Sequence, residues 1–216
     1  MAASPVASRP SEPSLRRLVD FYDPQVKGRD ARNRTLDEIL AWSDARLESQ
    51  HDYIQTLFPL PEGSMFSFAA PVVDEQTFLY WRGRGGDDLK DGVRRALERM
   101  LRFYGFEVRW HPVVTIAAAA EEEEEEEEDR KAGFARWVRP LDHNHLRITR
   151  IIRSLRVLGL ADEARAFYDA LVETHATHGR IGRSSLGYWR RAATEPLHIA
   201  PDGEEVEWLE KYHVGE

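Results

Sequence analysis

At 216 residues and 24.9 kDa, with 42% hydrophobic and 31% charged residues, the chain suits one domain with a single sizeable core. Its formal net charge of -8 argues at first sight against a polyanionic partner, yet Glu121 to Glu128 plus Asp129 supply nine negative charges, and without that run the chain stands at +1. It has no cysteine, which excludes disulfide scaffolds, Cys-ligated zinc and thiol catalysis.

In chain order, residues 1–14 (MAASPVASRPSEPS) have little to bury and read as a disordered lead without a signal core. Leu18, Val19, Phe21 and Tyr22 form an apolar cluster expected to pack on the domain. Thr35-Leu36-Asp37-Glu38 has the form of a capping box opening a helix with Ile39, Leu40 and Trp42. Ser43 is expected to cap a second helix through Leu47, His51, Ile54, Leu57 and Phe58, stopped by Pro59 and Pro61. Asp74 would cap a short helix with Phe78, Leu79 and Trp81, ended by the glycine-rich RGRGGDD. From Asp88, the spacing Leu89, Val93, Leu97, Leu101, Tyr104, with Met100, predicts a helix closed by Gly105. Val108, Trp110, Val113, Val114 and Ile116 have a strand-like look but equally fit an apolar loop edge.

The apolar run Val113 to Ala120 is far short of the ~20 residues a membrane span needs. No transmembrane segment is expected, and a soluble intracellular protein is the working class. From Ala117 the chain reads AAAAEEEEEEEEDRK, and residues 117–133 are expected to be a disordered, solvated acidic insert. Helical spacing resumes at His145 or Leu146 and runs to Gly159. It returns with Ala164, Phe167, Tyr168, Leu171 and Val172 up to Gly179, and again from a Ser184 cap through Leu186, Tyr188, Trp189 and Ala193. A last weak helix spans Glu204 to Tyr212, within an acidic tail over residues 194–216. The expected fold is all-α: one irregular helical domain, residues 15–216, of about six to eight helices.

Eight histidines invite a metal reading. His143 and His145 form an H-x-H in LDHNHL, with His51 as a conceivable third donor. The bland reading is that DHNH forms a helix N-terminus capped by Asp142 or Asn144. No G-x-S-x-G, Walker loop or Rossmann fingerprint is present, and RGRGG lacks the Lys-Ser/Thr of a phosphate loop. No catalytic residue, metal or cofactor is therefore assigned. Between Phe134 and Ala193, eleven Arg face five Asp or Glu, a local excess of +6. Arg147, Arg150, Arg153 and Arg156 recur every third residue, each step turning by about 60°, so they spread round the helix instead of forming one ridge. Arg147 and Arg150 with His143 could form an anion site at the helix start, while Arg153 and Arg156 would serve solubility and the helix dipole.

Taken together, HDYIQTLFPLPE (His51 to Glu62), RRALERMLRFYGFE (Arg94 to Glu107), DHNHLRITRIIRSLRVLGL (Asp142 to Leu160) and SLGYWRRAA (Ser185 to Ala193) resemble the opioid growth factor receptor conserved region. Phe21-Tyr22-Asp23 and the segment around Leu36 fit its opening. The resemblance implies an all-α domain, binding of the pentapeptide met-enkephalin, a nuclear or perinuclear setting and a role in restraining proliferation, with no catalytic residues to carry over. Thr56 stands where the animal proteins tend to have Trp. The expected function is thus a non-enzymatic module for a peptide or protein ligand, enkephalin-like by resemblance alone, with His51, His143, His145, Arg147 and Arg150 as candidate ligand-binding residues. Two alternatives stay open: a nucleic-acid or anion binder through the Arg-rich helix, and a His-based metalloenzyme.

Overall fold

A computed structural model describes residues 13–63, 70–83, 86–119 and 131–212. Helix α1 (Pro13–Tyr22) buries Leu18, Val19, Phe21 and Tyr22, as the apolar cluster predicts. The capping box forms: the Glu38 amide donates to Thr35 Oγ1 at 3.2 Å, and the Thr35 amide to Glu38 Oε2 at 2.8 Å, opening α2 (Leu36–Leu40). Asp74 caps α5 (Glu75–Arg82) by accepting from the Thr77 amide. The long apolar stripe lies on α6 (Asp87–Tyr104), which ends at left-handed Gly105, φ 87°. Gly92 lets α6 close on α1, since a Cβ there would lie 2.8 Å from the Tyr22 ring.

Three expectations are corrected. The helix predicted from Ser43 to Phe58 is two short ones, α3 (Asp44–Ser49) and α4 (Ile54–Leu57), with Gln50 in an extended conformation between them. The fold is mostly helical but not all-α: β1 (Phe106–Arg109) and β2 (Thr115–Ala118) pair antiparallel, Phe106 opposite Ala118 and Arg109 opposite Thr115. This hairpin puts Phe106 and Ile116 in the core and lies against α9 (Ala161–His178), so a strand pair with one buried face wins over the loop reading. There are also eleven helical segments among the described residues instead of six to eight, several of them a single turn or little more.

Ala117 and Ala118, read as the start of the insert, pair with Glu107 and Phe106, and residues 131–135 form a helical turn, α7. Residues 120–130, with the Glu run, and residues 1–12 of the expected lead lie outside the described residues.

The C-terminal half packs around α8 (His143–Val157), which α9 and α10 (Arg183–Thr194) flank. Asp142 caps α8, and Gly182 occupies the cap position of α10, where Ser184 was expected. Any larger residue at 182 would press on the Pro140 carbonyl, 2.6 Å from where its Cβ would lie. The acidic tail folds back onto the domain: Leu197, Val206 and Leu209 are buried, and after α11 (Glu207–Glu210) Tyr212 packs 5.1 Å from the Phe78 ring. One apolar cluster runs through all these elements.

Candidate functional site

The candidate residues meet where the start of α8 lies against the end of α3. Each does something different there. His145 is buried, with Nδ1 2.8 Å from Ser185 Oγ and Nε2 2.7 Å from the Trp137 carbonyl. A carbonyl only accepts, so we assign the ring proton to Nε2, leaving Nδ1 to accept from the Ser185 hydroxyl. Both ring nitrogens are thereby engaged, and His145 ties α8 to α10 and to the Trp137 loop as a neutral imidazole. Burial holds its pKa below the ordinary histidine value, against the opposing pull of the Trp137 carbonyl and Asp142.

Arg147 is also buried, and it explains the break between α3 and α4. Its Nη1 donates to the Leu47 carbonyl at 3.1 Å and to Asn144 Oδ1 at 3.1 Å. Its Nη2 donates to the carbonyls of Glu48 (3.3 Å) and Gln50 (2.7 Å) and to His51 Nδ1 (3.0 Å). These are the carbonyls that a helix running on to Phe58 would have used internally. A planar fork of five donors satisfies them from outside, and its charge suits the negative end of the α3 dipole.

The other arginines of the series follow the same rule. Arg150 Nε donates to the Phe58 carbonyl at 2.8 Å, and Arg156 Nη1 to the carbonyls of Ala192 (3.0 Å) and Glu195 (2.7 Å), closing the end of α10. Burial pushes the Arg150 pKa down to about 10, with Glu62 offsetting part of the shift, so the guanidinium stays charged at neutral pH. Arg153 is buried beside Glu62, its Nε 3.3 Å from Oε1. The expectation that Arg153 and Arg156 lie in solvent is therefore corrected: α8 is surrounded on nearly all sides, and successive turns of about 60° aim its arginines at different neighbours.

What remains open to solvent is smaller. His51 and His143 are exposed, edge to face, with ring centroids 5.5 Å apart. His143 Nε2 lies 3.4 Å from Glu48 Oε1 and its Nδ1 3.4 Å from Asp142 Oδ1. Leu141 and Leu146, two residues before and three after His143 in the chain, are 85% and 58% exposed. They occupy the positions just before the cap and four into the helix, where apolar side chains usually cover each other. That spacing was readable in LDHNHL, whereas nothing local marked Glu48 or Ser185 as partners. His51, His143 and His145 do not converge on one point, and among the described residues no group of three or more His, Asp or Glu is arranged to hold a metal ion.

His51 is also held below the usual imidazole range, by partial burial first and then by Arg147 and His143, against Glu48 and Asp52. With both His51 and His145 lowered in the folded state, the unfolded chain binds more protons near the ordinary value of about 6.5. Stability is then full above that value and falls as pH drops through it. Thermal melts from about pH 7.5 to about 5.5 should show a declining midpoint, with a shallower decline in His51→Gln. A midpoint that rises toward acid would contradict this assignment.

A sequence model described as the opioid growth factor receptor conserved region matches residues 17–196. The chain belongs to this family. Among curated proteins, the human opioid growth factor receptor is 32% identical over 164 residues, covering 71% of this chain and 22% of the relative. The rat receptor is 30% identical over 71% of the chain and 26% of the relative, and the mouse receptor 29% identical over 76% and 26%. The chain thus spans about a quarter of the length of the opioid growth factor receptors it matches. No solved structure matches. Within the opioid growth factor receptor conserved region, the two segments that carry the resemblance most specifically, His51 to Glu62 and Asp142 to Leu160, lie side by side. They are joined by Arg147, Arg150, Arg153 and by Ser154, whose hydroxyl donates to the Pro59 carbonyl at 2.8 Å. Among the described residues no helix is long and apolar enough to cross a membrane.

Proposed function

We propose that this chain is a non-enzymatic binding module of the opioid growth factor receptor family, taking a peptide or protein ligand at the start of α8. The relatives are named as receptors, which supports a recognition role over a catalytic one. The observation that carries the location is the exposure of Leu141 and Leu146, on either side of His143 in the chain, together with the open His51–His143 pair. Solvent-facing leucines next to imidazoles and the Glu48 carboxylate offer both apolar area and hydrogen bonds to a peptide. His145 and Arg147 hold this surface in shape without touching a ligand. Arg150 borders it. An intracellular, nuclear or perinuclear setting goes with the proposal.

Calorimetric titration with an enkephalin-like pentapeptide tests it. A saturable heat is expected, weakened at least about tenfold by Leu146→Asp, which puts a charge where an apolar contact is needed. Absence of heat at millimolar peptide would remove the peptide form of the proposal.

A nucleic-acid role through the Arg-rich helix finds little support in the geometry. Arg147, Arg153 and Arg156 are buried, and their bonds go to main-chain carbonyls, side chains of the fold or Glu62.

A further inference from the structure

The side chain of Arg153 is 1% exposed and, among the described residues, makes a single hydrogen bond, from Nε to Glu62 Oε1 at 3.3 Å. Among the described residues neither of its Nη groups has an acceptor, and the second oxygen of Glu62 has no donor. A buried, charged donor left without a partner is among the costliest arrangements a fold can hold, so this end of α8 is matched to an acceptor that Glu62 supplies only in part. Arg150 lies one turn nearer the start of α8, about 60° round it, and is partly exposed. Among the described residues its hydrogen bond, to the Phe58 carbonyl, uses Nε and not the Nη groups.

We propose that Arg153, with Arg150 at its outer edge, is a binding site for a single carboxylate group, for which the chain's own Glu62 is an imperfect stand-in. Three observations support this. A guanidinium fork matches a carboxylate with two parallel hydrogen bonds, and Arg153 has the donors free for them. Two arginines against one glutamate leave one positive charge, which suits a monoanion better than a dianion. Glu62 is also placed to give way. The chain is pinned at Phe58 and Pro59 by Arg150 and Ser154, but Gly63, directly after Glu62, is exposed, with none of the described residues within 4 Å of where its Cβ would be. A carboxylate entering past Arg150 displaces the Glu62 side chain outward and takes its place on Arg153. The site does not depend on the peptide reading above, because its chemistry is that of a carboxylate, whichever molecule carries it.

The test follows the Arg Nε–H signals of the full chain by NMR during titration with sodium acetate at fixed pH and ionic strength, with sodium chloride and acetamide as controls. The Arg153 signal should move saturably with acetate and stay still with both controls. Glu62→Gln, which removes the competing charge, should bind acetate about tenfold tighter, and Arg153→Met should lose the effect. Should Arg153→Met fail to fold, Arg150→Gln serves in its place, with weaker acetate binding expected. Equal shifts with acetate and chloride, or no gain in Glu62→Gln, would overturn the proposal. Tighter binding of hydrogen phosphate than of acetate would overturn the carboxylate assignment. A short peptide acid that binds better than its amide would place the carboxylate at a peptide C-terminus. Equal weak binding of the two, with acetate still bound, would support a small free acid as the ligand.

Discussion

Arg147→Met is expected to destabilise the domain by about 3–5 kcal/mol, measured by urea unfolding. Methionine keeps much of the apolar stem and removes every donor. The carbonyls of Leu47, Glu48 and Gln50, Asn144 Oδ1 and His51 Nδ1 then lose the fork that joins them. Arg147→Lys should recover only a minor part, because one ammonium cannot reach both sides of that set. Since the loss is local, amide exchange should quicken first between Leu47 and Tyr53. A Lys variant as stable as the parent would show that charge alone, without the fork, holds α3 against α8. The loss is large for a domain whose total stability is expected to be about 5–15 kcal/mol.

Trp189→Ala should cost as much or more, about 3–5 kcal/mol from the cavity alone. The indole is fully buried, 5.9 Å from the Trp137 ring and 5.3 Å from His145, and its Nε1 donates to the His145 carbonyl at 3.1 Å. It therefore fills the junction of α8, α10 and the loop before α8, with one hydrogen bond in addition. Trp189→Phe keeps most of the volume and loses the donor, so about 1–2 kcal/mol is expected. Because the His145 carbonyl also accepts from Thr149 Oγ1 at 2.9 Å, losing the indole donor does not leave it bare. If the Ala and Phe variants were equally unstable, the hydrogen bond and not the packing would be the main contribution.

The two variants bear on ligand binding in different ways. Arg147 lies directly beneath the exposed His51, so its loss should disturb peptide binding as well as stability. Trp189 contacts the inner side of His145, and at temperatures where the variant stays folded the surface at Leu141 and Leu146 should keep its affinity. A binding loss confined to Trp189→Phe would move the site away from the start of α8.

Local signals were legible wherever the cause of structure lies within a turn or two of chain. Thr35 and Glu38 announced their capping box, Asp74 and Asp142 their caps, Gly105 its left-handed close, and the Leu89 to Tyr104 stripe its helix. The hairpin was half legible. Val108 and Ile116 had the residue types of strands, but the buried face that makes pairing worthwhile is supplied by α9, far along the chain. The candidate site was legible as a neighbourhood only. His51, His143, His145 and Arg147 do lie together, yet which of them face solvent was hidden, because imidazole and guanidinium serve equally well as ligands' partners and as internal clamps.

The sequence by itself determined the helical character, most of the helix ends and the family, because caps, periodicity and motif order are written within short stretches. Only the tertiary structure decided what the arginines do. Arg147 meets all its acceptors but Asn144 Oδ1 96 to 100 residues away, Arg150 meets the Phe58 carbonyl 92 away, and Arg153 meets Glu62 91 away. A guanidinium has no local preference that distinguishes water from a distant carbonyl. Where helix ends are brought against the same face of α8, their unmet carbonyls take the nearest fork of donors, and a row that reads as a basic surface becomes the internal fastening of the fold.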